Sequence, residues 1–402
     1  MSTYTYQATD LISGRVLADH IPLTVESFSM QLNGSGTLTG HLALNEMYPV
    51  NRPFVSALEC RRAVLWVLQD GYPVWAGVVW DWPHSSLSQG VLPISAQTLD
   101  TIWSHRNITD TIEYQAVDLG TAFLDLVSYG LSKQSSYIAT GVSPAATRDP
   151  AYLAMVAANG PVARLVLPSG TAAMAGAPWT ASYVWSDQTQ ISSAWQDMCA
   201  SGQLEWAFVP GLDSTGDLAV FVHLAYLQLG RPATQAGYAL VYPGNVLDYG
   251  YQRTGSQSSN MVWATAPPNG SSQQWQSTYP HGADTADLAA GYPLMESTVS
   301  WQGSVVTSQM QINTWADGQV ALKTQAMTLP VISVGGSGLP RLRDIVLGDS
   351  TTLVATSPLH PAQPNGSPGL QQQVRVTGWT AYPPGPQQSE HIQLTTSAVI
   401  AA

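Results

Sequence analysis

Charge is what this chain has least of. Only 10% of its 402 residues are Asp, Glu, Lys or Arg, against roughly a quarter in ordinary soluble domains. Lysine occurs twice, at Lys133 and Lys323. So little charge fits a surface largely covered by partners, because charged residues are depleted at interface cores. It fits a merely Gln/Ser/Thr-rich surface equally well. The net charge of −12 excludes a protein that grips nucleic acid or anionic membrane through a basic patch, but not one past which DNA slides unheld. No run of about 18 apolar residues occurs, so no membrane anchor is expected. The opening MSTYTYQATDLISGRV lacks a basic region followed by an apolar core, so no signal peptide is expected. The glycosylation-like triplets at Asn33, Asn107, Asn269 and Asn365 are then chance matches. Two cysteines, Cys60 and Cys199, make neither a disulfide framework nor a zinc site.

Catalytic signatures are as sparse. There is no HExxH, P-loop, GxGxxG or GxSxG. The eight histidines are scattered, and Gly335-Gly-Ser-Gly338 before Leu-Pro reads as a loop, not a phosphate cradle. Glycoside hydrolysis needs two facing carboxylates. Asp81, between Trp80 and Trp82, and Glu205, beside Trp206, lie in strand patterns and have no identifiable partner. No catalytic residue, metal site or cofactor is expected, and the chain is not read as an enzyme.

What is present is strand patterning around tryptophan. Four of the fourteen tryptophans fall in VLWVLQDGYPVWAGVVWDW, residues 64–82. Asp70-Gly71 is a hairpin turn signal. Trp66 lies in a continuous apolar run, and Trp80 and Trp82 share one face with Asp81 on the other. The stretch predicts a hairpin whose Trp66, Trp75, Trp80 and Trp82 fill core or subunit contacts. The alternatives are a carbohydrate- or receptor-binding protein using exposed Trp and, further off, a glycan hydrolase.

Four regions follow from the patterning. Residues 1–107 read as short strands with regular turns, a first small barrel. Residues 108–240 read as an α+β domain. It holds helices at 118–131 and 186–202, the second capped by Ser186 or Asp187, around a loop-rich stretch at 132–180, and then a hairpin. Residues 241–275 and 330–402 read as a second β region, which as a true repeat of the first would be a second barrel, with 276–329 as a small, partly helical insertion. The fold class is mainly β with α+β insertions. The two β regions also resemble each other, with Trp82-Pro83 and Tyr382-Pro383 taking matching places.

The layout resembles a family. The opening YQATDLISGRV…LTVESFSMQLNGSGTLTGHLAL resembles the first domain of phage tail hub, or minor tail, proteins. So do Asp70-Gly71 with Trp75-Ala-Gly77, and Ile94-Ser-Ala96 through Trp103 to Arg106. The Leu347-Gly348-Asp349 turn and VRVTGWTAYPP, with Trp379 and Tyr382, resemble the family's second tube domain. The resemblance implies a homotrimer at the tail tip of a virion, with six barrels in a pseudo-sixfold ring around a DNA channel. It also implies tail tube or distal tail protein, tape measure protein and other tip proteins as neighbours. A mildly acidic wall would let DNA pass. Interface candidates are Trp66, Asp70, Gly71, Trp75, Trp80, Trp82, Gly348, Asp349, Trp379 and Tyr382.

Overall fold

The computed structural model describes residues 2–44, 48–83, 90–139, 144, 147, 149–168, 178–200, 204–226, 228–235, 237–250, 253–254, 258–266, 274–301, 309–323, 327–328, 331–335, 338–385 and 389–398. Alternating apolar and polar residues make the first region a run of strands: β1 (Tyr4–Asp10), β2 (Val16–Ala18), β3 (Leu23–Gln31) and β4 (Thr37–Ala43). A helix that the patterning did not announce, α1 (Tyr48–Ala57), precedes β5 (Ala63–Gln69), β6 (Tyr72–Asp81) and β7 (Val91–Thr98). Asp70 and Gly71 turn the β5–β6 hairpin at φ 52° and 81°. Both angles are left-handed, as the twist of a two-residue hairpin requires.

The α+β region carries β8 (Ile112–Asp118), α2 (Leu119–Ser132), α3 (Pro150–Asn159), β9 (Leu165–Val166), β10 (Pro178–Tyr183), α4 (Ile191–Ala200), β11 (Leu204–Leu212) and β12 (Leu218–Tyr226). Helix α3 lies inside the stretch expected to be loop. The Asp149 side chain accepts from the Ala151 and Tyr152 N–H groups, and Pro150 takes the first turn, where its missing N–H costs nothing. Helix α4 starts at Ile191, later than expected, because Ser186 and Asp187 belong to a separate 3₁₀ turn, Trp185–Asp187.

The last region holds β13 (Leu240–Tyr242), β14 (Val246–Gly250), β15 (Arg253–Thr254), β16 (Met261–Ala266), β17 (Trp275–Gln276), α5 (Thr285–Ala289), β18 (Glu296–Ser300), α6 (Gln309–Lys323), β19 (Met327–Thr328), β20 (Val331–Gly335), β21 (Ser350–Ala355), β22 (Leu370–Tyr382) and β23 (His391–Ala398). Strands β16 to β18 form a small separate sheet, on which Ala264, Ala266, Ile312 and Ala316 make a compact core.

The chain is mainly β, as expected, but no closed barrel occurs among the described residues. The two β regions form one 13-stranded sheet, ordered β14-β20-β23-β22-β3-β4-β7-β6-β5-β1-β2, with β21 and β13 branching from β22. The departure from two separate barrels has a local cause. Strand β22 is 13 residues long and β21 only 6. Beyond Arg375, β22 has outrun β21, and Gly378–Ala381 pair with β3 instead.

The sheet repeats itself. One half runs β5-β6-β7-β4-β3 and the other β21-β22-β23-β20-β14, the same order built from strands in the same chain sequence. The irregularities repeat too. A bulge at Val79/Asp81 of β6 matches one at Val376/Gly378 of β22, and one at Val25/Ser27 of β3 matches one at Val246/Asp248 of β14. Arg61 (φ 65°) donates its N–H to the Val79 carbonyl at 2.7 Å, and Gly348 (φ 88°) donates to the Val376 carbonyl at 2.7 Å. This register aligns Trp82 with Trp379. The correspondence of Trp82-Pro83 with Tyr382-Pro383 read from the sequence is therefore three residues out.

Candidate functional site

Two features stand out: the join between the halves of the sheet, and the face the sheet leaves open. At the join, Gly378, Trp379, Thr380 and Ala381 pair antiparallel with Gln31, Met30, Ser29 and Phe28. Strand alternation sends Trp379, Ala381, Phe28 and Met30 to one side, where all four are buried. The Phe28 and Trp379 rings meet edge to face at 5.7 Å, a favoured aromatic geometry. Trp75 closes the same core and donates its indole N–H to the Ser29 carbonyl at 2.8 Å.

The other side is polar. One row crosses the sheet from Ser27 through Thr39 and Ser95 to Asp81. Its counterpart runs from Ser29 through Thr380, Gln393 and Ser333 to Asp248. Hydroxyls lie beside hydroxyls: Ser27 Oγ is 3.3 Å from Thr39 Oγ1, and Ser29 Oγ is 3.2 Å from Thr37 Oγ1. The eight strands β3, β4, β6, β7, β14, β20, β22 and β23 contain one Lys or Arg between them, Arg375. Arg375 is buried, so these strands offer no exposed cation on this face.

Beyond the polar rows, on β5, the part of β6 before Asp81 and the first half of β22, the α+β region covers the sheet. Val64, Trp66, Ala76 and Val78 share a core with Trp103, Trp195, Trp206 and Phe208. On the second half, the Arg375 guanidinium grips the Glu205 carboxylate of β11 with both terminal nitrogens, Nη1 at 2.7 Å from Oε1. Arg375 also donates to the carbonyls of Gly348 (3.1 Å) and Leu229 (3.0 Å). Asp349 is fully buried and accepts from the Arg231 backbone N–H at 2.7 Å and from its guanidinium. Gly348 is needed here, because a Cβ would lie 2.1 Å from the Leu229 carbonyl oxygen. The Glu205–Arg375 pair escapes sequence reading because 170 residues separate the partners.

The remaining sequence candidates lie around this frame, but Trp80 and Trp82 do not share one face as expected: across the bulge at Val79/Asp81, Trp80 packs against the α+β core and Trp82 against the core beneath the join. Trp66 is buried and donates to Thr9 Oγ1 at 2.9 Å. Trp80 donates to Thr101 Oγ1 at 2.9 Å and lies 4.5 Å from the His105 ring, and Trp82 donates to the Leu58 carbonyl at 3.1 Å. With Trp75, all four hairpin indoles donate their N–H inside the protein; Trp66 and Trp75 are fully buried and offer no ring face to a sugar, and Trp80 and Trp82 are half-buried. Asp70 accepts from the Thr3 N–H at 2.9 Å, tying the turn to the N-terminal strand. Tyr382 stacks on His391 at 4.4 Å and 9°, at the end of the open face. Glu205 is held by Arg375 and Asp81 is exposed at the end of β6. Among the described residues, no group of three or more His, Cys, Asp or Glu could hold a metal ion.

No protein-family model and no curated protein matches the sequence. Solved structures do match the fold over nearly its whole length. A tail protein from Neisseria meningitidis is 13% identical, with a TM-score of 0.54, covering 98% of this chain and 96% of its own. A 43 kDa prophage tail protein from Shewanella oneidensis is 11% identical, with a TM-score of 0.53 and 98% of both chains covered. A prophage tail protein from Listeria monocytogenes is 12% identical, with a TM-score of 0.50, covering 97% of this chain and 94% of its own. The chain has the fold of phage tail proteins, and at the level of fold the resemblance read in the sequence is borne out.

Proposed function

We propose that this chain is a structural hub protein of a phage tail, not an enzyme, and that three copies form a pseudo-sixfold ring at the tail tip. The ring joins the sixfold tail tube to a threefold tip and leaves a channel through which DNA passes. Its neighbours are the tail tube or distal tail protein, the tape measure protein and other tip proteins. The full-length likeness in fold to three tail proteins supports the tail reading.

The observation that carries the ring is the repeated half-sheet together with its single join. Within the chain, the far end of β22 pairs with the second half of β3. By the repeat, the far end of β6 matches β22 and the end of β14 matches β3. Yet among the described residues β6 and β14 do not pair with each other. Each chain therefore holds one completed join and the two halves of another. A contact between unlike surfaces closes into a ring when the rotation allows, and three such chains supply six half-sheets. Leu247, on the edge strand β14, is 55% exposed, and an uncovered apolar edge strand invites pairing. Mass photometry of the purified protein tests this. Particles of three chain masses are expected, and a monomer that persists at high concentration and in assembled tails would refute it.

A further inference from the structure

We infer that the cleft between the β1–β2 turn and the end of α3 is a binding site for a phosphate monoester of about the size of a phosphosugar. None of its residues belongs to the join or to the polar rows, and the inference does not depend on the ring. The cleft has a volume of about 490 Å³. That lies within the roughly 300–1,000 Å³ of small-molecule sites and is far more than a bare phosphate fills. Arg15, Arg61 and Arg62 line it, with Asp10 as the one carboxylate. Three of the chain's 14 Lys and Arg residues thus meet in one cleft.

Backbone bonds fix the walls. The Asp10 N–H donates to the Arg15 carbonyl, the Leu11 N–H to the Arg62 carbonyl and the Ala163 N–H to the Leu11 carbonyl, each at 2.8 Å. The Asp10 carboxylate accepts from Ser13 Oγ and from Arg62 Nε, both at 2.8 Å. Asp10 therefore positions Arg62 and leaves its two terminal nitrogens without a partner among the described residues. The guanidinium groups of Arg15 and Arg61 likewise make no hydrogen bond or ion pair among the described residues. Arg61 has φ 65°, a conformation that glycine adopts without strain and a residue with a Cβ does not. The second half-sheet places Gly348, at φ 88°, in the matching turn. There the Leu229 carbonyl closes on the turn and Arg231 binds Asp349. The fold does not need arginine at this turn, yet the first half carries one, aimed at a cleft instead of a protein partner.

Charge and shape select the ligand. Three guanidiniums against one carboxylate leave two positive charges over. A phosphate monoester carries about −1.5 to −2 at neutral pH and presents three acceptor oxygens, which suit guanidinium forks from more than one direction. A carboxylate brings one charge and is filled by a single bidentate fork. Leu11, Ile12 and Ala158 supply an apolar stretch of wall for the organic part of the ester.

Calorimetric titration of the full-length protein at low salt tests this, with glucose 6-phosphate, inorganic phosphate, glucuronate and glucose as probes. Glucose 6-phosphate should bind at least about tenfold tighter than glucuronate or inorganic phosphate, and glucose should not bind. Arg61→Gly installs the residue that the second half-sheet uses, so the fold should survive, as circular dichroism would show. This variant should bind glucose 6-phosphate about tenfold more weakly, or worse. Arg343→Gln, at an exposed arginine elsewhere, should bind as the native protein does. Glucuronate or inorganic phosphate binding as tightly as glucose 6-phosphate would overturn the assignment. So would native-like binding by Arg61→Gly, or no binding of glucose 6-phosphate at all. Should Arg61→Gly lose the native fold, Arg15→Gln is read in the same way. None of these outcomes bears on the ring, which is decided by particle mass.

Discussion

Trp66 and Trp75 sit on adjacent strands of one hairpin and face opposite ways. Trp66 enters the core shared with the α+β region and Trp75 the core beneath the join. Both are 1% exposed or less. Truncation should therefore cost about 3–5 kcal/mol at either position, and chemical denaturation would measure it. The effects should separate by region: Trp66→Ala should expose amides of the α+β domain to hydrogen exchange, and Trp75→Ala those of β3 and β22. Asp100 offers a pH signature. Burial pushes its carboxyl up to about 6, against hydrogen bonds from Ser35 and Thr98 that pull it down. The folded value lies above the ordinary 3.8, so the native state holds the proton more tightly than the unfolded chain does. Stability from this group is full below the ordinary value and is lost as pH rises from about 4 to 6. Asp100→Asn should flatten that slope, worth on the order of 2–3 kcal/mol, in urea titrations at pH 4, 5 and 7. The tryptophans were legible as buried because they sit in apolar runs. Asp100 was not, since one acid after a strand pattern says nothing about the Ser35 and Thr98 hydroxyls that the fold brings to it.

At the scale of elements, the join is where the two β regions become one sheet. Thr380 lies at its centre, paired with Ser29 on one side and Gln393 on the other. Proline there removes a ladder N–H from a strand flanked on both sides. Thr380→Pro should cost roughly 3 kcal/mol or more and raise hydrogen exchange in β3 and β23 while sparing α2 and α4. Exchange mass spectrometry resolves the two patterns. Most strands were readable from alternation, and the 69–72 hairpin from Asp70-Gly71. Helix α3 was hidden by a stretch rich in Ala, Gly and Pro, although Asp149-Pro150 is a proper start signal. Ser186 and Asp187 look like helix caps in sequence but serve a 3₁₀ turn, so α4 begins only at Ile191. The join itself was not legible. Alternation fixes which face a strand buries, but not which distant strand it meets.

The whole molecule is two copies of one strand arrangement, each carrying extra structure: the α+β region after β7 and the small insertion between β14 and β20. The repeat was only faintly readable in sequence because it is conserved in bulges and turns rather than in residue types. Arg61 stands where Gly348 does, and Asp81 where Gly378 does. The charge-poor composition, which fits a covered or a merely polar surface, extends through the open face, whose strands hold a single Lys or Arg, the buried Arg375. Among the described residues β6 and β14 do not pair with each other, and the proposed ring would join them between neighbouring chains. Cryo-electron microscopy of the purified protein, or of tails containing it, tests that most directly. It should show three chains in a closed ring, with the sheet running unbroken from the end of β6 in one chain to the end of β14 in the next. A monomer, or a ring held only through the α+β regions with those strand ends apart, would contradict it.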